Sequence, residues 1–165
     1  IPTKMRMTVR ELVALGTLST SDLFSFRRRK NDEAVERALE LVGLADLAEM
    51  DIARLSGGQR QRAVIGRALA SNAELLIFDE PLVNVDRSSR NGILKLLDDL
   101  CHNENKTLLM VSHDLTAIRQ SAHRVIYLDG QIQYDGKPSE IPDLSGLAGL
   151  IGLQHVHEHS HKEEE

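Results

Sequence analysis

Apolar residues in this chain of 165 residues fall into two regimes. Up to about Met50 they recur at helical spacing, and beyond Ser56 helical patterns alternate with short, uninterrupted apolar runs. Thr8 to Leu15 reads as a short amphipathic helix stopped by Gly16, and Ser19 to Asp22 as a loop. Asp32 is a candidate N-cap for a helix with Val35, Leu39 and Val42 on one face, ended by Gly43. A second short helix is expected over Ala45 to Met50. Gly58 to Ala70 reads as a helix, and Leu75 to Asp79 as a fully apolar, buried strand. Arg87 to His102 is expected to be helical, with Ile93, Leu94, Leu97 and Leu100 as its apolar stripe. Thr107 to Ser112 reads as a second buried strand and Leu115 to about Ser121 as a helix. Arg124–Leu128 and Gln131–Tyr134 flank Asp129-Gly130, a strong hairpin signal.

Helices alternating with apolar strands predict an α/β domain with a largely parallel sheet. The pattern divides into a helical portion over residues 1–70, an α/β portion over 71–142 and a C-terminal segment over 143–165. Beyond Gly152 the chain turns to His and Glu, a composition expected to be disordered.

Composition narrows the function. A net charge of -5 and an aromatic content of 3% argue against a nucleic-acid partner. The one cysteine, Cys101, cannot form an internal disulfide and lies in an apolar helical pattern, which reads as a structural thiol in a reducing compartment. No apolar run approaches the length of a membrane span. The opening residues show no signal peptide, so a soluble or membrane-peripheral protein is expected. Arg27 to Lys30 is a basic run that reads as a solvated loop, or as a contact for anionic lipid or a membrane partner.

Four short elements carry chemistry. In Leu55-Ser-Gly-Gly-Gln59 a hydroxyl and unhindered N–H groups stand at a helix start, where the helix dipole favours phosphate; standing alone, the element reads as a simple N-cap and turn. The strand Leu75–Asp79 delivers Asp79 and Glu80 to its C-terminal end, where ligands bind in open α/β sheets. Asp79 suits Mg²⁺, usually through water, and Glu80 suits polarisation of an attacking water, although a polar turn would look the same. His113 directly follows the second strand, where an imidazole can meet a phosphate oxygen. Asp86 ends the loop Pro81–Asp86 and also fits an N-cap for the helix from Arg87.

The order of these elements resembles the ABC transporter ATPases. Leu55 to Arg62 is similar to the signature motif and its helix, and Leu75–Glu80 to the Walker B strand with its catalytic glutamate. Pro81–Asp86 resembles the D-loop and Val111–Asp114 the H-loop. The implied fold is the P-loop NTPase-like ABC core with its helical signature subdomain, incomplete because no G-x-x-x-x-G-K-[ST] stretch occurs. Thr8–Val13 resembles the segment after the Q-loop, so the upstream part is expected to be missing.

The resemblance implies ATP and Mg²⁺ as cofactors, with Glu80 and His113 catalytic and Asp79 serving the metal. Ser56, Gly57, Gly58 and Gln59 would act on nucleotide held by a second ATPase subunit, and Asp86 would couple the two sites. Further implied partners are an integral-membrane permease and, indirectly, an extracytoplasmic binding protein. The implied place is the cytoplasmic face of the membrane. Without a phosphate cradle, these residues alone are expected to hydrolyse ATP hardly at all.

After His113 the chain is similar to the importer pattern, and Val85-Asp86 resembles the D-loop ending of the zinc/manganese group. Asn84, where small residues are usual, and His123, at an often acidic place, depart from the family pattern. His155, His157, His159 and His161 alternate in the tail. In an extended chain they would stand about 7 Å apart on one side, a set suited to Zn²⁺, or they form a solvated tail. The leading expectation is an energy-coupling ATPase subunit of a metal-ion importer. The alternatives are a non-catalytic partner lending its signature loop, and a metal-binding regulatory module.

Overall fold

The computed structural model describes residues 6–18 and 28–141. Two compact units divide the chain, Ile1–His113 and Asp114–Glu165. The expected loop at Ser19–Asp22 and the tail histidines His155, His157, His159 and His161 lie outside the described residues.

The first unit opens with α1 (Val9–Ala14), and Thr8 closes a reciprocal capping box with Glu11 at its start. α2 spans Arg28–Leu41 and is followed by a turn at Gly43, whose φ of 65° suits a helix stop. The helix begins at Arg28, so Asp32 lies inside it rather than capping it, and residues 28–30 are helical rather than a loop. The run of charged and polar residues hides this start, because no apolar periodicity begins until Ala34. Ala45–Leu47 forms a single 3₁₀ turn, shorter than the expected helix. α3 spans Gly57–Ala70.

These three helices pack on one another around Val9, Val13, Leu39, Val42 and Ile65, all buried. Gly66 of α3 permits the approach, since a Cβ there would stand 3.3 Å from methyls of Val13 and Val42. Backbone bonds tie the start of α1 to the following loop, with Val9 N–H donating to Met50 O at 3.0 Å and Ile52 N–H to Met7 O at 3.0 Å. Arg10 adds ion pairs to Glu36 and Glu49 across exposed surface, which contribute little.

β1 (Leu75–Asp79) pairs in parallel with β2 (Thr107–Val111), Asp79 standing opposite Val111. α4 (Arg87–His102) is the expected crossover helix, and its stripe of Ile93, Leu94, Leu97 and Leu100 is buried. The strands are not buried on both faces, contrary to expectation. Leu76 and Phe78 are covered, whereas Leu75, Ile77, Leu109 and Val111 remain 51%, 64%, 52% and 54% exposed. Period-two alternation puts these four on one face, which no described element of this unit covers.

The second unit holds α5 (Leu115–Ser121), β3 (Val125–Asp129) and β4 (Gln131–Gly136). Asp114 caps α5, and the strands form an antiparallel hairpin turning at Gly130, φ 68°. Arg124 grips Asp135 across the hairpin with two bonds of 2.7 Å. Among the described residues no helix is long and apolar enough to cross a membrane.

Gly16 lies in the 3₁₀ turn Leu15–Thr17 that follows α1 and packs on α3, and a Cβ there would stand 1.8 Å from the Arg67 carbonyl oxygen. Backbone cannot yield as a side chain does. Gly16→Ala should therefore lower stability by about 1–3 kcal/mol, the usual cost of overpacking. Urea unfolding of the two proteins checks this, and an unchanged midpoint would contradict it.

Candidate functional site

Parallel pairing carries the C-termini of β1 and β2 to one edge, and the chemistry collects there. Glu80 directly follows β1, and its N–H donates to Val111 O at 2.9 Å, prolonging the ladder by one bond. Its φ of 47° lies in the left-handed region, unusual for a residue with a long side chain. That turn swings the carboxylate toward the end of β2. There Glu80 Oε1 accepts from the His113 N–H at 3.1 Å and meets His113 Nδ1 at 2.7 Å.

An ionised carboxylate only accepts, so this contact places the proton on Nδ1. The Nε2 edge of a largely exposed ring then faces outward, an acceptor when the ring is neutral and a donor when it is charged. Both bonds fall on one Glu80 oxygen, and Oε2 accepts none among the described residues. A fixed carboxylate with one free oxygen can orient and polarise a water. Asp79, exposed and at the strand terminus, makes no hydrogen bond or ion pair among the described residues. A free carboxylate there fits a hard cation such as Mg²⁺.

From Glu80 the chain runs through a compact turn. Val83 N–H donates to Glu80 O at 3.2 Å and Val85 N–H to Leu82 O at 3.3 Å, with Leu82 and Val85 buried. Asn84 has φ 60°, which explains an asparagine here: it tolerates left-handed backbone better than most residues. Asp86 then caps α4, accepting from Ser89 N–H at 2.9 Å and from the Ser88 hydroxyl at 2.5 Å. The Ser88 hydroxyl first, and then Ser89, hold the Asp86 carboxyl well below the usual carboxylate range.

At the head of α3, Ser56 Oγ accepts from Gln59 N–H at 3.2 Å while Gln59 Oε1 accepts from Ser56 N–H at 2.9 Å. This capping box satisfies two orphan donors of the helix start and fixes the turn. The turn leans on the loop that ends at Asp86. A Cβ at Gly57 would stand 3.0 Å from Asn84 O, and one at Gly58 would stand 2.5 Å from Cβ and Oγ of Ser89.

The predicted residues therefore gather in two groups, joined by the chain from Glu80 to Asp86. Asp79, Glu80 and His113 occupy the strand ends; Ser56 to Gln59 sit beside Asn84, Asp86 and Ser89. Ser89 escapes sequence reading, and its only signal is the Asp86-x-x-Ser89 spacing of a cap.

The ABC transporter family model matches residues 2–83. The zinc uptake system ATP-binding protein ZurA of Listeria innocua is 41% identical over 133 residues, covering 81% of this chain and 52% of that protein. The ferric enterobactin transport ATP-binding protein FepC of Escherichia coli is 37% identical over 149 residues, covering 90% of this chain and 55% of its own length. The chain thus spans about half the length of the curated relatives it matches. Among solved structures, MJ1267, an ATP-binding cassette of an ABC transporter in its ADP conformation, superposes with a TM-score of 0.74 at 24% identity, covering 90% of this chain and 62% of that one. The order of the four motifs, the gathering of Glu80 and His113 at the paired strand ends, and these likenesses agree, and the chain belongs to the ABC transporter family.

Proposed function

We propose that this chain is part of the ATP-hydrolysing, energy-coupling subunit of an ABC importer for a metal ion, either free, as zinc, or chelated, as an iron–siderophore complex. The observation that carries the reading is the Glu80–His113 contact at the strand ends, beside the unengaged carboxylate of Asp79. Metal uptake is supported by the relatives, named for zinc in ZurA and for ferric enterobactin in FepC. Zinc is favoured by the alternating histidines of the tail.

In this reading Asp79 holds Mg²⁺ through water, and the ion neutralises charge on the phosphates when bound. Glu80 Oε2 takes the attacking water while Oε1 stays fixed by His113. The outer edge of His113 meets the terminal phosphate. Ser56, Gly57, Gly58 and Gln59 face nucleotide held by a second ATPase subunit, and Asp86 links the two sites. A permease in the membrane receives the motion, with an extracytoplasmic binding protein beyond it, so the subunit works at the cytoplasmic face.

The test is a chimera with the upstream half of Listeria innocua ZurA joined ahead of Ile1. The chimera should hydrolyse ATP. Glu80→Gln should slow turnover on the order of a hundredfold or more, the usual weight of a positioned base, with nucleotide binding retained. Equal rates for the two proteins would remove Glu80 from the chemistry.

The tail is tested separately, by calorimetric zinc titration of the whole chain and of a variant lacking residues 155–161. The heat of binding should vanish with the deletion; identical isotherms would end the tail's claim as a zinc site.

A further inference from the structure

The packing behind the Ser56–Gln59 turn points to a residue that no motif marks. Gly58 is buried at the second position of α3, and the direction in which its Cβ would project is already occupied. Cβ and Oγ of Ser89 both stand 2.5 Å from that point, with Ser89 Cα at 3.9 Å. Real Cβ contacts do not close to 2.5 Å, so Gly58 and Ser89 cannot both carry a Cβ in this arrangement. Ser89 in turn is not free to move away. Its N–H donates to Asp86 Oδ1 at 2.9 Å, in the first turn of α4. One position earlier, Gly57 is crowded in the same manner by Asn84 O, 3.0 Å from its own Cβ direction.

We propose that Ser89 is a positioning residue for the Ser56–Gln59 turn. It fills the space at Gly58 Cα, and Asp86 holds it there by accepting its amide proton. The need for glycine at position 58 then arises within this chain, from Ser89, and not from close approach of a nucleotide. The loop that ends at Asp86 and the turn that begins at Ser56 consequently move as one body. An Asp86 that shifted would carry Ser89, and Ser89 would carry the backbone N–H groups of Gly58 and Gln59. The functional half of this inference rests on the reading of the turn as a nucleotide contact; the packing half does not.

A double-substitution cycle tests the packing half, using Gly58→Ala, Ser89→Gly and the pair together, and a chimera tests the functional half. In the 165-residue chain, thermal unfolding should show that Gly58→Ala lowers the melting temperature by several degrees. The same change made in the Ser89→Gly background should cost little, because the new methyl occupies the vacated space. Equal losses in both backgrounds would overturn the contact.

In the ZurA chimera, Ser89→Gly should lower kcat on the order of tenfold through a loosened turn, while the KM for ATP, set by the upstream phosphate loop, holds. Ser89→Ala keeps both the Cβ that fills the space and the amide that Asp86 accepts, so it should hold the parent kcat. If Ser89→Ala is as slow as Ser89→Gly, the hydroxyl rather than the packing acts on the turn and the proposal fails. A parent chimera without ATP turnover would instead sink the functional reading, and the unfolding cycle would still decide the contact.

Discussion

One backbone register organises this molecule: the parallel pairing of β1 with β2, closed by the bond from Glu80 N–H to Val111 O. It brings two segments separated by the whole of α4 to a common edge. Without it Glu80 and His113 would be unrelated loop residues. A slip of one residue would exchange the faces that Phe78 and Asp79 occupy and separate the Glu80 carboxylate from the imidazole. The register is held by side-chain burial on one face only, where Leu76 and Phe78 are covered while Leu75 and Ile77 are not.

Much of this is legible in the sequence. α4 begins at Arg87 and ends at His102, as its cap and apolar stripe dictate, and the hairpin turns at Asp129-Gly130 as that pair requires. Such features are local: a cap, a period, a positive φ. The failures are of another kind. An apolar run such as Leu75–Phe78 announces a strand but not how many of its faces find a partner, because coverage depends on elements remote in the chain. α2 starts four residues before Asp32 because charged residues extend a helix as readily as they cap one.

The site divides along the same line. Glu80, His113 and Asp86 could be named from spacing at strand and helix ends, but the bond joining Glu80 to His113 spans 33 residues and belongs to the fold. Asn84 looked like a departure from the family pattern; its φ of 60° makes it a chemically reasonable choice at that turn. Ser89 is the opposite case. An unremarkable serine becomes important only because a glycine of another helix has no room beside it.

The left-handed backbone at Glu80 has a further consequence. A non-glycine residue held there strains the native state, by about 1–2 kcal/mol for an ordinary L-residue. Glycine would relieve that strain, yet it would also delete the one carboxylate that His113 holds. Stability and chemistry therefore pull position 80 in opposite directions, and selection for a sturdier fold alone would erode the residue the site is built around.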